Sequence, residues 1–222
     1  MTRIVVKLGG AVARDSVSYP LALADQGNEV CIVHGAGPQI SLEMAKRGIE
    51  VAFVNGRRVT TPEALVVVRE ALEQVNNHLV EAIGDSAVGL MGDEIGLEAE
   101  QVPELGLVGN PLPSTPPAVV EALDAGQIPV IAPLARGPLN VNADEAAAML
   151  AVGIEAERVH FVTDVPGLLL GTEVVASIHA DEAEQLLASG ELKGGIIPKL
   201  TAAVHAARRG VVAEIGETSV IA

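Results

Sequence analysis

The chain has 222 residues and a formal charge of −15, long enough for one large α/β domain or two small ones with a substantial core. That charge, with an aromatic content of 1%, excludes the basic, ring-stacking surface that nucleic-acid binding calls for. The single cysteine, Cys31, precludes a disulfide framework within one chain and reads as a small buried hydrophobe in a reducing compartment. The N-terminus runs directly into strand-like sequence without a signal-peptide pattern, and no apolar stretch reaches the roughly 18 residues of a membrane span. The expectation is a soluble, cytoplasmic protein with no membrane partner.

Short β-branched runs alternate with amphipathic segments, the pattern of a mainly parallel sheet covered by helices. In chain order, strands are predicted at 3–7, 29–34, 86–90, 128–131, 158–163 and 211–215. Helices are predicted at 12–25, 38–47, 62–84, 116–124, 144–152, 181–189 and 197–209, several opening on Pro or Asp as helix starts prefer. Residues 92–117 are rich in Gly, Pro and acidic side chains and read as hairpins and loops over a sheet edge. A soft boundary falls near 133–140, so the expectation is a single domain over 1–222 with approximate lobes 1–135 and 136–222.

With so acidic a chain, cations set among glycines are informative. The first such place is Val5-Val6-Lys7-Leu8-Gly9-Gly10, a strand ending in lysine and a glycine pair. Glycines let backbone N–H groups approach a phosphate, and a following helix adds a favourable dipole. Ile32-Val33-His34-Gly35-Ala36-Gly37-Pro38 repeats the arrangement after the next strand, and turns at the carboxyl ends of neighbouring strands face one crevice. Gly194-Gly195-Ile196-Ile197-Pro198-Lys199 is a third such helix start. None of these fits the P-loop or dinucleotide fingerprint. Arg57 and Arg58 form a pair before a long helix, and a guanidinium fork suits one of them to clamp a carboxylate. In Asn140-Val141-Asn142-Ala143-Asp144, polar residues alternate, and Asp144 is expected to cap the next helix. His34 reads as structural.

Together, Val6-Lys7-Leu8-Gly9-Gly10, Val33-His34-Gly35-Ala36-Gly37-Pro38-Gln39-Ile40, Gly56-Arg57-Arg58-Val59-Thr60, Asn140-Val141-Asn142-Ala143-Asp144, Thr163-Asp164-Val165-Pro166-Gly167 and Gly194-Gly195-Ile196-Ile197-Pro198-Lys199 resemble the amino acid kinase family, in the family's order. The resemblance implies an α/β fold, a three-layer αβα sandwich around a mainly parallel sheet, with the acyl acceptor on the first lobe and ATP on the second. It implies ATP with Mg²⁺ as cofactor and, within the family, phosphorylation of the γ-carboxylate of N-acetyl-L-glutamate in arginine biosynthesis. It assigns catalysis to Lys7, Lys199 and Asp144, and acceptor binding to Gly35, Ala36, Arg58, Asn140 and Asn142. Nucleotide and phosphoryl binding fall to Gly9, Gly10, Thr163, Asp164, Val165, Pro166, Gly167, Leu168, Leu169, Glu191, Leu192 and Lys193. No metal ligand is expected from the protein itself.

The chemistry agrees, since transfer to an ionised carboxylate asks for positioning and charge neutralisation rather than a base. Three departures stand out: Ala36 replaces the middle glycine of the family's His-Gly-Gly-Gly run, the stretch 168–172 is short, and the tail 214–220 lacks most of a closing loop. No helix precedes the first strand, which fits a homodimer rather than a larger ring. Rival readings are kinases for a carrier-protein-bound aminoadipate or glutamate, for glutamate, for carbamate or for UMP, a non-catalytic ligand sensor on the same fold, and an interaction domain without ligand.

Overall fold

The apolar runs at 3–8, 29–34, 128–132 and 158–161 are nearly continuous, as strands buried on both faces must be. In the computed structural model, which describes residues 1–9 and 17–222, they become the middle of an eight-stranded sheet. The first half of the chain gives β1 (Arg3–Leu8), α1 (Ser18–Asp25), β2 (Glu29–His34), α2 (Gly37–Lys46), the short β3 (Phe53–Val54) and β4 (Arg57–Arg58), α3 (Pro62–Ile83), β5 (Ala87–Met91), α4 (Gly92–Ile95), β6 (Ala99–Gln101), β7 (Val108–Pro111), α5 (Pro117–Asp124), β8 (Ile128–Ala132) and β9 (Leu134–Ala135). The second half gives β10 (Leu139–Val141), α6 (Ala143–Gly153), β11 (Arg158–Phe161), β12 (Leu169–Leu170), β13 (Glu173–Val174), β14 (Ser177–His179), α7 (Ala180–Ser189), α8 (Ile196–Ala207), β15 (Val212–Ile215) and β16 (Thr218–Ile221).

The large sheet has the order β14-β16-β15-β11-β1-β2-β8-β5. Its core from β5 to β15 is parallel, and only β15 and β16 pair antiparallel, through a tight turn. Side chains alternate across a strand, and β1 shows the result. Ile4, Val6 and Leu8 join a core with α2 and α3, whereas Val5 joins a core with α5, α6, α7 and α8. Two helical layers therefore cover one sheet.

The strands and helices expected from the sequence are present, with ends shifted by a few residues; the expected helix at 12–25 is a helix at Ser18–Asp25, and 10–16 lie outside the described residues. The edge strands β14 and β16 were not expected. Residues 92–117 contain the expected hairpin, β6 with β7, but β7 also pairs parallel with β10, and β10 antiparallel with β9, to build a second, four-stranded sheet. This small sheet delivers Asn140 and Asn142 beside the carboxyl ends of the main strands.

Candidate active site

Lys7 shares its strand face with Val5 and so points at the layer holding α6 and α8. Its Nζ lies 2.9 Å from Asp144 Oδ1 at the start of α6. Lys199, in the first turn of α8, places its Nζ 3.6 Å from Asp144 Oδ2. One carboxylate thus sits between two ammonium groups, with side chains 8% exposed at Lys7 and Asp144 and 17% at Lys199. Burial lowers the Lys7 pKa, Asp144 raises it, and Lys199 lowers it again. The triplet carries one net positive charge in a low-dielectric place, a setting that favours an anion.

The expected cap of α6 is corrected by the structure. Asn142, not Asp144, is the N-cap, its Oδ1 accepting from the N–H groups of Asp144 (2.8 Å) and Glu145 (3.2 Å). The reason is backbone geometry: Asn142 has the extended conformation of a cap and Asp144 is already helical. Asp144 is thereby released to face the lysines.

Two cavities meet this triplet. The first, about 230 Å³, is lined by Lys7, Gly35, Ala36, Arg58, Asn140, Asn142 and Asp144 among others, which brings together every residue expected to hold the acceptor. Arg58 is 6% exposed. Its Nη2 donates to the Gly37 carbonyl at 3.1 Å and to Ser41 Oγ at 2.8 Å, and its guanidinium carbon lies 4.6 Å from the centre of the Phe53 ring. No carboxylate among the described residues pairs with it, and burial lowers its pKa. Arg57 lines the same cavity, but its guanidinium is engaged by Glu145 and Asn110. Asn140 Nδ2 donates to Thr60 Oγ1 at 2.9 Å. Ala36 has φ −139°, a value its methyl group tolerates. Gly35 lines the cavity, but its N–H donates to the Leu8 carbonyl at 3.0 Å.

The second cavity, about 430 Å³, is lined by Thr163, Asp164, Val165, Gly167, Leu168, Leu169, Glu191, Leu192, Lys193 and Lys199 among others. Of the residues expected to meet the nucleotide, Pro166 is not in its wall. Gly9 is exposed after β1 and lines neither cavity, and Gly10 lies outside the described residues. The second cavity's lining is largely apolar away from Lys193 and Lys199, with Asp164 and Glu191 at hand.

His34 is fully buried. It faces the α3 layer, with Nε2 3.1 Å from Asn76 Nδ2, and burial depresses its pKa to about 4. It is a neutral structural histidine, facing away from Lys7. Cys31 is buried too, and burial pushes its thiol pKa far up, so it is inert. Phe53 at the acceptor cavity escaped the sequence reading. The signal was Asn55-Gly56, a two-residue hairpin turn that sets Phe53 opposite Arg58.

Comparison with known proteins agrees with this geometry. The profile of the amino acid kinase family matches residues 2–215. The acetylglutamate kinase of Paracoccus denitrificans is 38% identical over 94% of this chain and 74% of its own length. That of a Nocardioides species is 40% identical over 94% of this chain and 75% of its own. Among solved structures, the smu.665 protein of Streptococcus mutans superposes with a TM-score of 0.86 at 28% identity, covering 99% of this chain and 98% of that one. With the family's sequence pattern running from the first strand to the penultimate one, and a pair of lysines sharing one carboxylate at the junction of two cavities, this chain belongs to the amino acid kinase family.

Proposed function

We propose that the chain is an ATP-dependent kinase that transfers the γ-phosphoryl group to the γ-carboxylate of N-acetyl-L-glutamate, an acyl-phosphate-forming step of arginine biosynthesis. The observation that carries the reading is Arg58: a buried guanidinium with no carboxylate partner among the described residues, in a cavity whose wall includes Lys7 and Asp144. A buried cation is costly without a counter-charge, and the α-carboxylate of the acceptor supplies one. The names of the curated relatives point to the same acceptor.

In this reading ATP occupies the second cavity, its γ-phosphate directed at Lys199 and Lys7. A γ-carboxylate oxygen of the acceptor attacks phosphorus in line, the bond to the β-bridging oxygen breaks, and ADP leaves with that electron pair. The acceptor is already ionised at neutral pH, so no base is needed. The two lysines neutralise charge on the transferring group, and Asp144 fixes their spacing. Mg²⁺ bound on the nucleotide phosphates would supply further charge neutralisation there. Asp144, the carboxylate at the junction, is engaged by both lysines, and among the described residues no three His, Cys, Asp or Glu gather as ligands. Residues 1–135 form the acceptor lobe and 136–222 the nucleotide lobe, with Asn140, Asn142 and Asp144 reaching the acceptor cavity from the second. A homodimer in the cytoplasm completes the proposal; exposed Leu42 on α2 and Val66 on α3 are apolar surface that a second copy would cover, and light scattering on the purified protein tests the dimer.

The test is trapping of acyl phosphate as hydroxamate, with ATP and a panel of N-acetylglutamate, glutamate, aspartate and carrier-linked glutamate or aminoadipate. Turnover should be greatest with N-acetylglutamate. A preference for a carrier-linked acceptor would reassign the substrate, and product from none of them would sink the kinase reading in favour of a sensor.

A further inference from the structure

The β3–β4 hairpin that carries Arg58 is met by four residues, Pro198, Asn142, Glu145 and Asn110, the first three on or at the start of the helices that carry Lys199 and Asp144. Its turn, Asn55-Gly56, has positive φ at both residues, 49° and 78°, as a two-residue hairpin turn of this kind requires. At the turn, a Cβ built on Gly56 would lie 3.3 Å from Pro198 Cβ, the residue preceding Lys199. The Gly56 carbonyl accepts from Asn142 Nδ2 at 3.2 Å, and Asn142 caps α6. One residue on, Arg57 meets Glu145 with a forked contact: Nε lies 3.0 and 3.1 Å from Oε1 and Oε2, and Nη2 lies 2.9 Å from Oε2. Nη2 also donates to Asn110 Oδ1 at 2.7 Å on β7. The Arg57 and Glu145 side chains are only 20% and 12% exposed.

A two-strand hairpin with two residues per strand has almost no stability of its own, so its position must come from outside. Neighbouring residues of a strand project to opposite sides. When Arg57 is fixed on Glu145, Arg58 is therefore turned to the acceptor cavity. We propose that the Arg57 to Glu145 fork is a clasp that positions Arg58 for the acceptor carboxylate, making both residues positioning residues for acceptor affinity. The clasp lies between the acceptor cavity and a wider groove lined by Phe53, Glu104, Leu187 and Pro198, so its opening would let the acceptor escape toward that groove.

This inference rests on the acyl-acceptor reading of the first cavity, and one of its readouts does not. Steady-state kinetics with N-acetylglutamate and ATP are measured for the wild type, Arg57→Met, Glu145→Gln and the double variant. Each single change should raise KM for N-acetylglutamate by roughly 5- to 30-fold, with kcat and KM for ATP within about twofold, and the double variant should be no worse than either single one. Glu145→Gln separates positioning from charge. If Glu145 acted only by repelling an anionic acceptor, its neutralisation would lower KM, and that result would overturn the clasp, as would an unchanged KM in Arg57→Met. Arg57→Lys, which keeps charge but loses the fork, should recover only part of the affinity. The independent readout is hydrogen exchange without any substrate: amides of residues 53–59 should exchange several-fold faster in Arg57→Met than in the wild type. Unchanged exchange would overturn the proposal even where N-acetylglutamate proves the wrong acceptor, whereas faster exchange with an inactive wild type would leave the clasp standing and refute the acceptor.

Discussion

Replacing Asp144 with Asn tests the ion triplet most directly. The change keeps shape and removes one charge from a place where Lys7 Nζ is 2.9 Å and Lys199 Nζ 3.6 Å from the carboxylate. With both Asp144 and Lys7 side chains 8% exposed, water cannot replace the lost counter-charge, and breaking such a buried pair costs on the order of 3 to 5 kcal/mol. The urea midpoint should fall accordingly. Turnover should drop by about 10²- to 10³-fold, the range for removal of one preorganised electrostatic element. The pH dependence gives a sign. Lys7 must be charged to act, burial and Lys199 lower its pKa, and Asp144 raises it. Without Asp144 the alkaline fall of kcat should therefore begin at lower pH than in the wild type. ATP should also stabilise the variant more than the wild type, because its phosphates supply the missing negative charge. The assays are hydroxamate trapping across pH 6 to 10 and thermal unfolding with and without ATP. A variant with kcat within threefold of wild type and an unmoved alkaline limb would refute the argument.

Three further outcomes follow from single side chains. Arg58→Met should raise acceptor KM by about 30-fold or more, as loss of a buried charge pair does. It should change stability by no more than about 1 kcal/mol, because removing an unpaired buried cation offsets the lost bonds to Gly37 and Ser41; isothermal titration and urea unfolding check both. Asn142→Ala should cost about 1 kcal/mol through the lost cap of α6, and Asn142→Ser should restore most of it, read from urea midpoints. For His34, the folded pKa of about 4 against 6.5 means the unfolded chain binds the proton first as pH falls. Stability should decline between pH 6.5 and 4 and level off below, with a loss of about 2.5 kcal/mol by pH 4.5. His34→Gln should flatten that part of the curve, and equal slopes in variant and wild type would contradict the assignment.

The parallel core was legible because buried strands such as Glu29–His34 are continuous β-branched runs and helices such as Pro62–Ile83 open on proline. The edge strands Ser177–His179 and Thr218–Ile221 are three and four residues long, too short to show a period; β16 adds to the edge of β15 and β14 in turn to that of β16. The second sheet was hidden for a related reason. Its strand β7 ends at Pro111 and β10 begins only at Leu139, and nothing within either short segment announces a partner so far along the chain.

By itself the sequence determined the layered α/β fold and pointed to most of the residues that line the two cavities, Gly9 and Pro166 excepted, because these depend on local periodicity and on residue types set at strand ends. Only the tertiary structure decided between neighbours that look alike in the sequence. Asn142 and Asp144 are both good helix caps, and the backbone entering α6 gave the cap to Asn142 and left Asp144 for the lysines. Arg57 and Arg58 are both arginines on one strand and both line the acceptor cavity, and the hairpin's seating on α6 ties up the guanidinium of Arg57 on Glu145 while leaving Arg58 without a carboxylate among the described residues. In each case both side chains suit the local role, as helix cap or as guanidinium clamp, and the direction in which the fold points them is a property of contacts distant in sequence.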